Sequence, residues 1–212
     1  MRGSLARDPR LPSPGVPDPE DVAAAKAALR RRLSARRAAR PGPERAAAAG
    51  AVAAALGAGV PAGSTVAAHV PDPAEPGAGR LLDALAAAGR RVLLPVVPVT
   101  GRTLAWAEHT GPLLPGRFGL LEPAGPRLPG EALADAAVVV VPALAVARTG
   151  ARLGRGAGFY DRALRSARPG ALLVAVVFDD ELLDALPTGP HDRPVTAVVT
   201  PSGGWQALPA GH

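Results

Sequence analysis

The chain contains one string of residues whose types and spacing suit phosphate chemistry. It covers residues 152–162, reads RLGRGAGFYDR and places three glycines at alternate positions. Glycine lets backbone N–H groups approach an anion closely, because it lacks a Cβ and tolerates positive φ. A helix that starts after the loop adds its own unpaired N–H groups. Arg152 and Arg155 would supply charge and Asp161 a ligand for a divalent cation, although the glycines alone are equally compatible with a plain turn.

Lys26 is the only lysine of the chain and falls on a predicted helix that starts near residue 20. The helical period places it beside Val22, Leu29 and Leu33, with Arg30 one turn further along. In one interpretation its stem packs against the core while the ammonium reaches water. In the other it binds phosphate, for which a compact ammonium is suited as a point charge.

Two further acids and one aromatic residue lie in loops rich in glycine or proline. Phe118 has little core to join there, so it either anchors the loop or stacks on a ring. Glu75 is either a solvated acid or a ligand. Asp192 precedes the last predicted strand, where it either forms a turn or meets Asp161 and shares a hard cation. Three histidines show no metal-ligand spacing and are interpreted as ordinary polar residues: His69, His109 and His212.

These residues need a scaffold, and the hydrophobic pattern predicts one in which strands and helices alternate. Several strands are continuous apolar runs, as expected when both faces of a parallel sheet are covered. The predicted strands are 65–70, 91–97, 103–107, 137–141, 172–178 and 195–200. The predicted helices are 20–39, 43–57, 77–88, 158–167 and 179–186. The alternation favours a single α/β domain with a largely parallel twisted sheet flanked by helices, in a Rossmann-like three-layer architecture.

The ends of the chain differ in character from this central part. Residues 1–18 are rich in proline and lack periodic hydrophobic residues, so we predict a disordered tail. The folded domain is predicted over residues 19–204, because no linker interrupts it. Residues 205–212 are predicted to be a C-terminal tail.

Charge and composition exclude several classes of protein. The net charge of +6 arises in residues 1–45, which hold eleven cations and five acids, whereas residues 46–212 hold thirteen of each. Aromatic residues make up only 3%, so base stacking has few platforms and we predict no specific nucleic-acid partner. The apolar run 136–147 is too short to span a bilayer, and no signal-peptide pattern is present. Because the chain has no cysteine, it can form no disulfide and no thiolate metal site. We predict a cytoplasmic protein that does not associate with a membrane. We also predict a monomer or weak dimer.

The Gly-rich string resembles the signature of the 5-formyltetrahydrofolate cyclo-ligase (methenyltetrahydrofolate synthetase) family, R-L-G-[YR]-G-x-G-[YF]-Y-D. Residues 116–123, GRFGLLEP, resemble the family's G-x-F-G-I-x-E-P. His191 and Asp192, before the last strand, resemble its late H-D element. The four-residue step from Lys26 to Arg30 resembles the K-x-x-x-R that opens its first helix, so the matches extend over residues 22–200 in the family's order.

The resemblance implies an ATP- and Mg²⁺-dependent enzyme that acts on 5-formyltetrahydrofolate. ATP would transfer its γ-phosphoryl group to the formyl oxygen, and N10 would then close the ring. The products would be 5,10-methenyltetrahydrofolate, ADP and phosphate. Such chemistry needs positioning and charge neutralisation more than a protein nucleophile.

The resemblance also implies a role for individual residues. Catalysis is assigned to Arg152, Arg155 and Tyr160. ATP binding is assigned to Lys26, Arg30, Arg152, Leu153, Gly154, Arg155, Gly156, Ala157, Gly158, Phe159 and Tyr160. Folate binding is assigned to Glu75, Phe118, Arg155 and Tyr160. Metal binding is assigned to Asp161 and Asp192.

The chain departs from the family pattern at two places. The family commonly reads F-D-x-x-G before the Gly-rich loop, whereas residues 146–150 read VARTG, so the loop is anchored differently or activity is reduced. After Glu75 the family continues with an acid and a threonine, whereas residues 76–78 read PGA. Two alternatives stay open. One is a non-catalytic folate- or nucleotide-binding homologue, suggested by Ala147, and the other is a phosphosugar isomerase or CoA-transferase-like enzyme on a related scaffold.

Overall fold

The computed structural model describes residues 18–189 and 192–209. The helices are α1 (Pro19–Ala39), α2 (Gly42–Gly59), α3 (Leu81–Ala86) and α4 (Phe159–Ala163). The strands are β1 (Thr65–Ala67), β2 (Arg91–Val96), β3 (Ala105–Glu108), β4 (Leu113–Pro115), β5 (Leu121–Pro123), β6 (Val138–Val141), β7 (Ala145–Ala147), β8 (Arg152–Leu153), β9 (Leu172–Val176), β10 (Leu182–Leu183), β11 (Ala197–Thr200) and β12 (Gly204–Ala207). The N-terminal tail predicted up to residue 18 falls, except for Asp18, outside the described residues, as do His191 and His212.

A seven-stranded sheet in the order β12-β11-β9-β6-β1-β2-β3 forms the centre of the fold. The five inner strands pair in parallel, whereas the edge strands β3 and β12 are antiparallel to their neighbours. In the register, Val66 of β1 lies opposite Val92 on one side and Val138 on the other. The predicted single α/β domain with a largely parallel sheet is therefore confirmed.

Helices cover both faces of this sheet, which explains why its inner strands are apolar on both sides. On one face, Leu56 of α2 and Leu81 of α3 pack against alternate strand residues such as Val66. On the other face, Leu133 and Leu164, both in 3₁₀ turns, pack against the intervening set. The three predicted layers are present.

The first helix does not join either face of the large sheet. Leu33 of α1 is fully buried and packs with Leu144 and Leu153, next to the small sheet β10-β7-β8. Asp18 caps the helix by accepting a hydrogen bond from the backbone N–H of Glu20 at 2.9 Å. This packing places α1 beside the segment that leads into the Gly-rich loop.

Arg90 joins the ends of α2 and α3, the two helices on one face of the sheet. Its guanidinium donates to the carbonyls of five residues at 2.5–3.2 Å: Gly57, Val60, Pro61, Ala84 and Ala87. These carbonyls lie at or beyond the ends of α2 and α3, where they have no helical partner of their own. One buried side chain thus terminates both helices.

The sequence predictions for α1, α2 and the inner strands are confirmed within a few residues, and others are wrong. The helix predicted over 179–186 is a 3₁₀ turn, Asp179–Glu181, followed by strand β10. The reason is tertiary, since β10 pairs with β7. The C-terminal tail predicted from residue 205 is wrong in its first part, because β12 spans Gly204–Ala207 and pairs with β11. The helix predicted over 77–88 is shorter, with α3 limited to Leu81–Ala86.

The basic cluster at α1, which comprises Arg30, Arg31, Arg32, Arg36, Arg37 and Arg40, is partly paired within the protein. Arg36 and Arg40 both form ion pairs with Asp180, and Arg37 is buried against Glu181. The absence of a specific nucleic-acid partner stays a prediction. None of the helices in the described ranges is long and apolar enough to cross a membrane.

Candidate active site

The candidate site lies at the carboxyl edge of the parallel strands, where open α/β sheets usually bind ligands. The loop after β1 carries Glu75 to this edge, and the segment after β2 carries Pro98 and Val99. After β6 the chain forms the hairpin β7–β8 and then the Gly-rich loop, residues 154–158. Residues far apart in the chain therefore meet there.

The Gly-rich loop has backbone groups available for an anion. Gly156 and Gly158 adopt φ of +100° and +71°, a region that side chains with a Cβ rarely enter. The N–H groups of residues 154–157 donate to no backbone carbonyl in the described chain. The helix that follows, α4, has only five residues, so its dipole contributes less than a full-length helix would.

Three cationic side chains converge on this loop from α1 and β8. Arg30 donates from Nε to the Gly154 carbonyl at 2.8 Å, and Arg152 from Nη1 to the Pro142 carbonyl at 3.2 Å. With Lys26 they line a pocket of about 90 Å³, called here the phosphate pocket. The remaining lining residues are Leu153, Gly154, Gly156, Gly158, Asp161 and Asp192. Lys26 therefore lines this pocket, and its contact with phosphate stays a prediction.

Both predicted metal ligands line the phosphate pocket and are already paired with cations. Asp161 accepts a hydrogen bond from Arg152, and Asp192 forms an ion pair with Lys26. Asp192 also accepts from the backbone N–H of Gly189 at 2.8 Å. No cluster of three or more acids and histidines suited to a metal occurs in residues 18–189 and 192–209. Two carboxylates beside a phosphate site fit Mg²⁺ that is completed by nucleotide oxygens and water, the usual arrangement for this ion.

Glu75 is buried, which contradicts its interpretation as a solvated loop acid. Its carboxylate accepts hydrogen bonds from His69 Nε2 at 3.1 Å, the Asp72 N–H at 3.2 Å and Arg155 Nη2 at 2.9 Å. Burial alone would raise the pKa of Glu75, but hydrogen bonds and charges of His69 and Arg155 outweigh burial and lower this pKa to about 2. Glu75 is thus an ionised carboxylate held in place at neutral pH.

Arg155 ties the Gly-rich loop to the loop after β1 instead of lining the phosphate pocket. Besides Glu75, its Nη2 lies 3.7 Å from Asp72 Oδ2. The side chain is 53% exposed, so it can turn toward a ligand without unpacking the core. Arg155 therefore follows the pocket-lining Gly154 in the chain, while its side chain contacts Glu75.

Tyr160 lies between the Gly-rich loop and the core of the large sheet, next to Ala68 and Trp106. Its hydroxyl is 3.5 Å from the Ala68 carbonyl, and its ring meets Trp106 edge to face at 6.5 Å. Burial raises the pKa of Tyr160 above its ordinary value, and this effect exceeds the opposing charge of Arg152. At neutral pH the phenol is protonated and serves as a hydrogen-bond donor.

A second cavity of about 320 Å³, called here the aromatic cavity, lies next to the Gly-rich loop. Its lining residues are Pro98, Val99, Gly101, Arg102, Arg117, Phe118, Ala157 and Phe159. Phe118 is 74% exposed and has φ of +57°, so it does not anchor its loop in the core. An exposed ring on a cavity wall suits stacking against a flat ligand.

Besides Arg155 and Tyr160, three more residues assigned to ATP binding occupy other places than expected. Ala157 and Phe159 line the aromatic cavity and not the phosphate pocket, because the chain bends at Gly156. The side chain of Leu153 is buried beside Leu33, so Leu153 offers the phosphate pocket only its backbone. The assignment of these residues to ATP binding stays a prediction.

Glu122 supports the wall of the aromatic cavity from inside the protein. It is buried and accepts a hydrogen bond from the Val97 N–H at 2.9 Å. A Cβ at Gly116 would lie 2.5 Å from the Glu122 side chain, so only glycine allows the acid to pack there. These two residues of the GRFGLLEP segment thus have a supporting role, while Phe118 faces the cavity.

Sequence reasoning missed three residues of the site: His69, Arg37 and Glu181. His69 was interpreted as an ordinary polar residue, yet it bonds to Glu75. Arg37 is one of the eleven cations of residues 1–45, yet it is buried and pairs with Glu181. The helical period could have found Arg37, because it falls on the same face of α1 as Lys26.

The departure from F-D-x-x-G is accommodated by the backbone. Ala147 is fully buried in β7, and its N–H donates to the Ala151 carbonyl at 2.8 Å. Gly150, at φ of +89°, donates to the Ala147 carbonyl and accepts from the Val195 N–H, both at 2.8 Å. The turn before the Gly-rich loop is therefore held by main-chain bonds where the family commonly places an aspartate.

Comparison with known proteins identifies the family of the chain. The sequence profile of the 5-formyltetrahydrofolate cyclo-ligase family matches residues 22–201. A 5-formyltetrahydrofolate cyclo-ligase of Mycolicibacterium smegmatis is 51% identical over 154 residues, which are 69% of this chain and 78% of that protein. The solution structure of 5,10-methenyltetrahydrofolate synthetase from Aquifex aeolicus superimposes with a TM-score of 0.71 at 27% identity, covering 88% of this chain and 94% of the other. The chain belongs to the 5-formyltetrahydrofolate cyclo-ligase family.

Proposed function

We propose that this protein converts 5-formyltetrahydrofolate to 5,10-methenyltetrahydrofolate with consumption of ATP. The observation that carries the proposal is the meeting of Lys26, Arg30 and Arg152 on a Gly-rich loop with free N–H groups. The aromatic cavity adjoins that loop, so a phosphate donor and a flat acceptor could lie side by side. Its similarity to the named relatives supports the same conclusion.

On the nucleotide side, the residues neutralise and orient phosphate groups. Lys26 acts as a point charge, while Arg30 and Arg152 can donate several hydrogen bonds in a fixed plane. Arg30 and Arg152 are pre-organised by the Gly154 and Pro142 carbonyls, so little side-chain entropy is lost when a phosphate binds.

On the folate side, we propose that Phe118 stacks on the pteridine ring and that the Glu75 carboxylate accepts hydrogen bonds from it. Glu75 suits an acceptor role because its low pKa keeps it ionised at neutral pH. Tyr160 supplies a protonated hydroxyl, and Arg155 is placed to contact either ligand.

The reaction proceeds in two steps. The formyl oxygen attacks the γ-phosphorus, an O–P bond forms, and the bond to the ADP oxygen breaks. N10 then donates its electron pair to the formyl carbon and loses its proton, and phosphate leaves with the former formyl oxygen. Charge builds up on the transferred oxygens in the first step, where Arg152 and Arg155 would stabilise it.

We propose Mg²⁺ as the metal, with Asp161 and Asp192 as the residues that would hold it. Bound there it would offset the negative charge of the phosphates. Asp161 and Asp192 would exchange part of their pairing with Arg152 and Lys26 for the cation, which leaves both basic side chains free to face phosphate.

Mixing the purified protein with 5-formyltetrahydrofolate, ATP and Mg²⁺ tests the function, with the absorbance of the methenyl product as readout. Product should require all three, and equal product in excess chelator would contradict the metal. Asp161→Asn should raise the Mg²⁺ concentration needed for half-maximal rate, whereas Asp135→Asn, an exposed acid outside the site, should not. A non-catalytic homologue would bind both ligands and form no product. A cytoplasmic location and a monomer or weak dimer stay predictions.

A further inference from the structure

Arg37 is a buried cation of α1 whose contacts leave one group unpaired. Its side chain is 2% exposed. Nε and Nη2 donate to the two carboxylate oxygens of Glu181 at 2.8 and 2.7 Å, and Nη2 also donates to the Ala143 carbonyl at 2.8 Å. Nη1 is buried and makes no hydrogen bond to any residue that the structure describes. Buried N–H groups without a partner are costly, so this one needs a physical reason.

The unpaired group faces the carboxylate of the candidate site. Nη1 of Arg37 lies 3.6 Å from Oε1 of Glu75, and Arg155 donates to that same oxygen at 2.9 Å. Two guanidinium groups thus compete for one acceptor. Arg155 is half exposed on the Gly-rich loop and free to leave, whereas Arg37 is fixed by Glu181 and cannot.

We propose that Arg37 is a positioning residue that holds Glu75 when Arg155 turns to a ligand. Once Arg155 leaves, Oε1 needs another donor. A shift of about 0.7 Å would bring it from 3.6 Å to the usual hydrogen-bond distance of Nη1. Glu75 then stays ionised and in place for its substrate. The inference rests on the proposed function, in which Glu75 contacts the folate.

This arrangement makes α1 a common support for both sides of the site. Lys26, Arg30 and Arg37 fall within about 40° around the helix axis, and about 16 Å separate the first from the last. Lys26 and Arg30 line the phosphate pocket, while Arg37 contacts Glu75. One rigid helix therefore sets the distance between nucleotide and folate groups.

The test separates positioning from stability. Removing Arg37 alone would leave Glu181 buried and unpaired, so we choose the double variant Arg37→Met/Glu181→Met, since apolar replacement of a buried ion pair is often tolerated. We expect this variant to raise the KM for 5-formyltetrahydrofolate about fivefold or more, in the range of coupling within one network. The KM for ATP should change less than twofold.

Two comparisons show whether the effect passes through Glu75. In a Glu75→Gln background, the double replacement should add no further rise in folate KM, because the acceptor charge is already lost. Arg36→Met, the exposed neighbour on the same helix, is the matched control and should leave both KM values unchanged. Arg37→Lys keeps the positive charge but loses the planar guanidinium and its several N–H donors, so it should raise the folate KM only in part.

Three results would overturn the inference. One is a folded double variant, by circular dichroism and melting temperature, with wild-type folate KM. Another is an equal rise of the folate and ATP constants. The third is an effect of the same size in the Glu75→Gln background. Should the double variant not fold, Arg37→Lys decides the question alone, and a wild-type folate KM there refutes the inference. A wild-type protein without turnover overturns the proposed function, and the inference with it. Any of the three results above, obtained with an active wild-type protein, overturns the inference alone, so the two failures are distinguishable.

Discussion

Replacing Lys26 by methionine tests whether the only lysine of the chain binds phosphate. Methionine keeps most of the apolar stem and removes the charge. A hydrogen bond to a charged group contributes about 1.5–3 kcal/mol. In the free protein Lys26 is paired with Asp192, so a phosphate must compete with that carboxylate for the ammonium. We therefore expect ATP to bind about 1–2 kcal/mol more weakly, which corresponds to about 5- to 30-fold in Kd.

The same substitution should have a small effect on stability. The side chains of Lys26 and Asp192 are partly exposed, and Asp192 keeps its hydrogen bond from the Gly189 N–H. Loss of such a pair costs about 1 kcal/mol or less, or about 2–4 °C in Tm for a domain of this size. Titration calorimetry with ATP and Mg²⁺ and a thermal melt give both values.

Arg31→Met is the matched control for this prediction. Arg31 lies on the exposed side of α1 and does not line the phosphate pocket. The substitution therefore removes one positive charge from the same helix without removing a contact to bound phosphate. Its ATP Kd should stay within twofold of the wild-type value. Equal weakening in both variants would show a general charge effect, and an unchanged Kd in Lys26→Met would rule out Lys26 as a ligand.

Three more predictions concern stability. Arg90→Met removes the donor from five carbonyls at the ends of α2 and α3. We expect the free energy of unfolding, measured in urea, to fall by about 3–5 kcal/mol. A fall of less than about 1 kcal/mol would contradict the role of Arg90 in joining these helices. Gly150→Ala should lower the free energy of unfolding by about 2–4 kcal/mol, because residue 150 has φ of +89° and the new Cβ would lie 2.6 Å from the Val195 carbonyl. Gly170→Ala is the control, since residue 170 has φ of +79° but open space around it. It should lower the same free energy by only about 1 kcal/mol. The pKa of Glu75 is about 2 in the folded protein against an ordinary 4.5, so its charge stabilises the fold above pH 4.5 by about 3 kcal/mol, and this contribution is lost as the pH falls toward 2. The stability difference between wild type and Glu75→Gln should therefore shrink over that window in urea melts, and a difference independent of pH would refute the assignment.

Local sequence determined the elements and the chemistry of the nucleotide side. The run of four valines at 138–141 is apolar on every side, so it can only be buried on both faces of a sheet. Lys26 and Arg30 share a face of α1 because helical geometry is set by neighbours three and four residues away. Alternate glycines likewise allow the positive φ of Gly156 and Gly158 wherever the loop is placed. These features depend on short stretches of chain, which is why they could be predicted.

Tertiary structure decided the surroundings of Glu75 and Arg37, on the side of the site that we propose for folate. Glu75 sits in a proline-rich segment that looks like a solvated loop, yet it is buried and accepts a hydrogen bond from Arg155, 80 residues further along. Arg37 resembles one more member of a basic cluster until it meets Glu181, 144 residues away. Residues 182–183 have an apolar pattern compatible with a helix, yet they pair with β7 because α1 and the hairpin leave an edge there. An ion pair or a strand pairing of this kind depends on where distant segments are placed, and no local periodicity carries that information.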